Sequence, residues 1–171
     1  MSIRRFGISA LARPSGGFAM LAVDQREALR LMFAGDAKPE SDGSVGEAIR
    51  RAVPDSVLTD FKVTATEELT PHASAVLVDK QFAFDAIVRA GAVAPGCGLI
   101  AAADRFVPGY GEAVTDSVLD DEVRADEVRA QGAVAMKLLV VWRPDGEPAR
   151  RIDLVESFVP VSYTHLRAHE T

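Results

Sequence analysis

Cysteine is nearly absent: Cys97 stands alone among 171 residues. No internal disulfide can form, and that fits a reducing compartment, the cytoplasm. Aromatic residues are few, at 6%, with a single tryptophan, and only three histidines are present. A base-stacking surface or a histidine-rich metal cluster is therefore a poor starting hypothesis. Positive charge is also in deficit, since 19 Lys and Arg against 25 Asp and Glu leave the chain at −6. A phosphate-backbone binder concentrates positive charge, so nucleic acid is not an expected partner. Apolar runs such as Ala133 to Val141 break within ten residues, too short to cross a bilayer, and Arg13 and Pro14 interrupt any N-terminal leader segment.

What is present is an ordinary globular balance, 48% hydrophobic and 26% charged, at a length suited to one domain. Four short apolar runs read as buried strands: Phe18 to Asp24, Ser74 to Asp79, Leu99 to Asp104 and Ala135 to Trp142. Each is almost continuously apolar, as in parallel strands covered on both faces. Helical spacing separates them. Gln25 to Ala34 reads as a helix capped by Asp24 with Glu27 completing a capping box. Leu58, Phe61, Ala65 and Leu69 form one apolar stripe, with Asp55 or Ser56 as cap and Pro71 as stop. Residues 125–131 and 148–159 read as two further helices, the first ended by Gly132. Gly35 to Gly46 reads as a surface insertion, followed by an extra helix at Val45 to Ala52. Alternating strands and helices predict right-handed βαβ units on a parallel sheet, an α/β fold.

Three of the four strands finish on aspartate, at Asp24, Asp79 and Asp104, and the fourth carries Lys137. The carboxyl ends of parallel strands form the active-site rim in barrels and open sheets. Carboxylates converging there on one amine make an acid/base constellation. Each aspartate also has a plainer reading, as a helix cap or a strand breaker. Lys137 is harder to dismiss, because an amine in a buried strand needs an acidic partner or a chemical task. A magnesium site built from the three strand-end carboxylates is a weaker alternative. Gly96–Gly98 and Gly109–Gly111 read as turns, His72 as structural, Cys97 as a small buried thiol and Trp142 as packing.

The segment Ser15 to Ala28, containing Ala22-Val-Asp-Gln-Arg26, resembles the opening strand of the class I aldolases of the tagatose 1,6-diphosphate aldolase family. Within that family it is most similar to the sulfofructosephosphate aldolases. Four collinear blocks extend the resemblance: Asp55 to Val63, Ala73 to Asp79, Ala102 to Gly109 and Lys137 to Arg143. Together they cover roughly residues 14 to 158.

The resemblance implies a (β/α)₈ barrel, of which this chain would hold the first four βα units over residues 1–159. It implies a Schiff-base aldolase, an aldehyde-lyase of carbohydrate metabolism that uses no metal or organic cofactor. Asp24 and Lys137 are then the expected catalytic residues. Gln25, Asp79 and Asp104 are expected to bind substrate, and Lys62 to be supporting or superficial. The expected reaction cleaves 6-deoxy-6-sulfofructose 1-phosphate to dihydroxyacetone phosphate and sulfolactaldehyde, a step of sulfoquinovose degradation. Tagatose 1,6-bisphosphate is the alternative substrate, and a non-catalytic half-barrel that binds a sugar phosphate is the alternative function. The family's Schiff-base lysine and fifth-strand glutamate would lie beyond residue 159, so the chain alone is expected to be inactive. A homo-oligomer is expected at full length, with no membrane partner. Residues 160–171, with His165 and His169 at i, i+4, resemble translated sequencing-adaptor read-through and are expected to carry no chemistry.

Overall fold

The computed structural model describes residues 8–142 and 146–167, with side chains as far as residue 160. A 3₁₀ turn at Ile8–Leu11 leads to β1 (Met20–Ala22), and α1 (Glu27–Phe33), α2 (Glu47–Ala52) and α3 (Asp55–Leu69) follow. A second 3₁₀ turn at Thr70–His72 precedes β2 (Ala75–Asp79), α4 (Phe84–Ala90) and β3 (Gly98–Ala102). Then come β4 (Asp104–Gly109), β5 (Glu112–Leu119), α5 (Ala125–Ala130), β6 (Ala133–Lys137) and α6 (Pro148–Arg167). The main sheet runs β1-β2-β3-β6, and every neighbouring pair is parallel. An α/β fold with a parallel sheet is therefore present. No helix among the described residues is long and apolar enough to cross a membrane.

The alternation of side chains along β2 divides the core. Val76 and Val78 face the helices and pack with Phe84, Ile87, Ala101 and Val128. Ala75, on the opposite face, packs with Ile100 and with Leu11 of the first 3₁₀ turn, and Leu77 joins them at the margin. Covering both faces requires apolar residues at every strand position, which is why the runs do not alternate.

Four local expectations need correction. Asp24 caps no helix: α1 begins at Glu27 behind Arg26, with no side-chain cap. Likewise α3 begins at Asp55 itself, behind Pro54, and Asp55 reaches back to the Arg30 guanidinium. The buried line of α3 is Leu58, Lys62 and Thr66, while Phe61 and Leu69 are 45% and 47% exposed. Lys62 finds a carboxylate beneath the helix, and Phe61 turns outward to meet Phe33 edge-on at 5.1 Å. The fourth correction lies in the last strand, which ends at Lys137 instead of Trp142; Trp142 is 63% exposed.

The larger departure is the β4–β5 hairpin, inserted between β3 and α5. Its two-residue loop, Tyr110–Gly111, has φ of 51° and 73°, the positive pair that a tight hairpin turn of type I′ demands. Pro108 has no amide hydrogen to donate and sits where the register shifts between Val107 and Gly109. The Gly35–Gly46 segment proves more than a surface excursion. Gly43 (φ +83°) lies so close to the hairpin that a Cβ there would be 2.3 Å from the Glu112 carbonyl oxygen. Gly111 N–H donates to Ser41 O at 3.0 Å, so the two inserted segments are fastened together. The final helix runs through Pro160 to Arg167, past the expected limit of residue 159. Arg143, the side chain of His165, and His169 lie outside the described residues.

Candidate active site

The site assembles at the carboxyl ends of the parallel strands. Asp24 lies two residues beyond β1, Asp104 two beyond β3, and Lys137 is the last residue of β6. Parallel pairing puts Ala102 opposite Lys137, and Ala103 N–H donates to Lys137 O at 2.8 Å. This register carries Lys137 to the level of both aspartates. Its Nζ stands 3.0 Å from Asp24 Oδ2 and 3.2 Å from Asp104 Oδ1. The lysine side chain is 28% exposed and the Asp24 side chain 13%, so the pair is open to a ligand. Three residues far apart in the chain therefore meet as a carboxylate–ammonium–carboxylate cluster.

Asp104 is fully buried, and both of its oxygens are engaged. Oδ1 accepts from Leu139 N–H at 2.8 Å as well as facing Lys137, and Oδ2 takes Arg26 Nη2 at 3.5 Å. Asp104 thus organises the cations around it. Gln25, next to Asp24, is exposed at the rim.

The structure places Asp79, expected to bind substrate, away from the Asp24–Lys137–Asp104 cluster. Asp79 is fully buried, with one oxygen paired to Lys62 Nζ and the other accepting from Phe82 N–H at 2.7 Å. It tightens the turn after β2 and neutralises a buried amine. Lys62, expected to be supporting or superficial, is that amine and is completely enclosed. Burial pushes the Lys62 pKa down, and burial pushes the Asp79 pKa up, each against the pull of its partner.

Two residues near the cluster escaped the sequence reading. Arg26 is 4% exposed, and its Nε has no hydrogen-bond partner. Phe106 offers its ring to that guanidinium, with Cζ 4.3 Å from the ring centroid. The residues Asp-Gln-Arg26 carried a signal for the arginine; only the unforeseen hairpin could have placed Phe106.

A cavity of about 400 Å³ adjoins the cluster, between the two inserted segments, with Arg26, Arg50, Gln81, Arg105 and Phe106 in its lining. A larger one, about 890 Å³, opens at the opposite end of the strands beside Gly98 and Gly132 and contains none of the charged cluster. Cys97 lines that second cavity, and burial pushes its thiol up to about 11, which suits an inert side chain. Among the described residues no group of His, Cys, Asp and Glu is placed to hold a metal ion. The magnesium reading fails on geometry, because Asp79 belongs to Lys62 and the space between Asp24 and Asp104 belongs to Lys137.

Residues 18–161 match the DeoC/LacD family aldolase profile. The chain is 32% identical over 156 residues to tagatose 1,6-diphosphate aldolases of Listeria monocytogenes (strain HCC23) and Listeria innocua, covering 90% of this chain and 40% of each relative. It is 35% identical over 136 residues to tagatose 1,6-diphosphate aldolase 1 of Streptococcus pyogenes serotype M1, covering 77% of this chain and 36% of that relative. The chain thus spans about two fifths of the length of these relatives. With the family profile covering most of its residues, the chain belongs to the DeoC/LacD aldolase family.

Proposed function

We propose that this chain is the first part of a class I aldolase that cleaves a phosphorylated ketose through a Schiff base. The observation that carries the reading is Lys137 held at 3.0 Å and 3.2 Å between Asp24 and Asp104 at the carboxyl ends of parallel strands. Retro-aldol cleavage needs a base to take the proton of the hydroxyl β to the carbonyl as the C–C bond breaks. Asp24, the more open carboxylate of the cluster, takes that role. Lys137 donates hydrogen bonds to the substrate oxygens beside the reacting carbon, and a proton it gives up there is returned when the products leave. Asp104 holds Lys137 in place, and Gln25 meets substrate hydroxyls at the rim. By the resemblance, the lysine that forms the imine falls beyond residue 159 in the family's order, outside the two fifths of the relatives' length that this chain spans. The protonated imine receives the electrons of the broken bond, so the reaction calls for no metal.

For the substrate, the resemblance of the Ser15–Ala28 block favours 6-deoxy-6-sulfofructose 1-phosphate. The names of the relatives favour tagatose 1,6-bisphosphate as the second reading. Each would be offered to the full-length gene product, with borohydride added to trap the imine. Cleavage of the sulfonated sugar with covalent trapping supports the first reading, and cleavage of tagatose 1,6-bisphosphate alone replaces it with the second. Lys137→Ala in that protein is expected to lower kcat about 10²- to 10⁴-fold, the usual worth of a positioned acid/base group. Failure to cleave either sugar would leave the sugar-phosphate-binding half-barrel as the better account.

A further inference from the structure

Phe106 has no polar atom and no evident part in acid/base chemistry, yet it touches both cations of the site. Its ring centroid lies 4.3 Å from Arg26 Cζ and 5.7 Å from Lys137 Nζ. The same two cations are the partners of Asp104, at 3.5 Å and 3.2 Å. The coincidence follows from β-strand geometry: Asp104 and Phe106 are two apart on β4, and side chains two apart share a face. One strand thus offers a full negative charge and an electron-rich ring to one pair of cations.

The ring matters most to Arg26. That guanidinium is buried, its Nε is unpartnered and its bond to Asp104 is long, so hydrogen bonding alone holds it loosely. A planar guanidinium against an aromatic face is held by cation–π attraction that strengthens as water is removed. The hairpin that carries Phe106 is itself fixed from two sides. Opposite Phe106 in the ladder is Ser117, whose hydroxyl donates to Leu139 O at 2.5 Å, close to the end of β6. At its tip the hairpin is fastened to the 41–43 backbone.

We propose that Phe106 is a positioning residue for the reaction. It holds the Arg26 guanidinium and the Lys137 ammonium in register with the carboxylates, so a chain of aromatic and acidic side chains on β4 sets the geometry of the acid/base cluster. The proposal rests on the aldolase reading.

Its test has two arms. NMR on the full-length gene product, labelled at arginine and lysine, reads the ring-current shifts of the Arg26 Nε–H and Lys137 ε-methylene protons in wild type, Phe106→Leu and Phe106→Tyr. In the full-length gene product, kcat, KM and the pH profile of ketose-phosphate cleavage are measured for the same variants. Phe106→Leu is expected to move both sets of resonances toward free-side-chain values. It is also expected to lower kcat about tenfold, with little change in KM and a displaced pH profile; Phe106→Tyr, which keeps the ring, should restore all of these. If Phe106→Leu misfolds, Phe106→Met in its place preserves bulk without the ring. Resonances that stay at wild-type positions would overturn the proposal whatever the activity, as would an unchanged kcat and pH profile. Moved resonances in a protein whose wild type cleaves no ketose phosphate would instead overturn the aldolase reading and confine Phe106 to shaping a binding site.

Discussion

Lys62 and Asp79 form an ion pair with neither partner exposed. Removing one member of such a pair strands the other charge, and that costs more than the pair contributes. Lys62→Met is therefore expected to lower unfolding stability by about 3–5 kcal/mol, read from denaturant midpoints. Lys62→Met with Asp79→Asn, which removes the charge but keeps an oxygen acceptor for Phe82 N–H, should recover most of the loss. A double variant no better than the single one would show that the loss does not come from the stranded Asp79 charge. At Cys97 the thiol is held neutral, its pKa about 11 against an ordinary 9.0. Because the folded value is the higher one, this contribution to stability is complete below pH 9 and is lost as pH rises toward 11. At pH 8 the folded chain should react with iodoacetamide on the order of a hundredfold more slowly than the urea-unfolded chain, the thiolate ratio for that difference. Equal rates would mean that the thiol is solvated. At this scale the sequence was a partial guide. Asp24 and Lys137 stood out because a charge at the end of an apolar run is conspicuous. Lys62 did not, because a lysine on an amphipathic helix has the same spacing whether it points to water or to a buried carboxylate.

At the scale of elements, the strands and helices of the main sheet were legible because burial on both faces leaves long apolar runs that few alternatives produce. The β4–β5 hairpin was not. Its strands alternate weakly, Pro108 interrupts one of them, and the turn pair Tyr110–Gly111 lies in a segment that reads equally well as loop. The partnership of the hairpin with the 41–43 segment is a backbone contact, and the only sequence trace of it is a glycine. Gly43→Ala is expected to lower the melting temperature more than Gly111→Ala. Both positions have positive φ, but the first also meets the Glu112 carbonyl and the Gly109 amide, whereas the second faces open space. A cost of about 1 kcal/mol is expected at Gly111, with several degrees more loss at Gly43. If the two variants melt together, the hairpin and the inserted segment are held by something other than that approach.

At the scale of the whole molecule, β1 and β6 each pair on one side only in the main sheet, among the described residues. Phe18, two residues before β1, is 52% exposed, and Met20, the first residue of β1, is 50% exposed. Unpaired strand edges with apolar flanks invite addition of another strand. The purified 171-residue chain is expected to self-associate as its concentration rises into the micromolar range, measured by sedimentation velocity. A strictly monomeric profile across that range would show that the two edges are protected.

The order of the main sheet, β1-β2-β3-β6, is also the order in which its strands are made. As the polypeptide leaves the ribosome, each new parallel strand finds its docking edge already synthesised, and the helix between them has emerged first. The sheet can grow by accretion, one unit at a time, without waiting for a distant partner. The hairpin interrupts that rhythm: Ser117 reaches for the carbonyl of Leu139, which does not yet exist when the hairpin closes. Folding of the scaffold can therefore keep pace with translation, while Lys137 gains its position between Asp24 and Asp104 only when the last strand of the sheet is laid down.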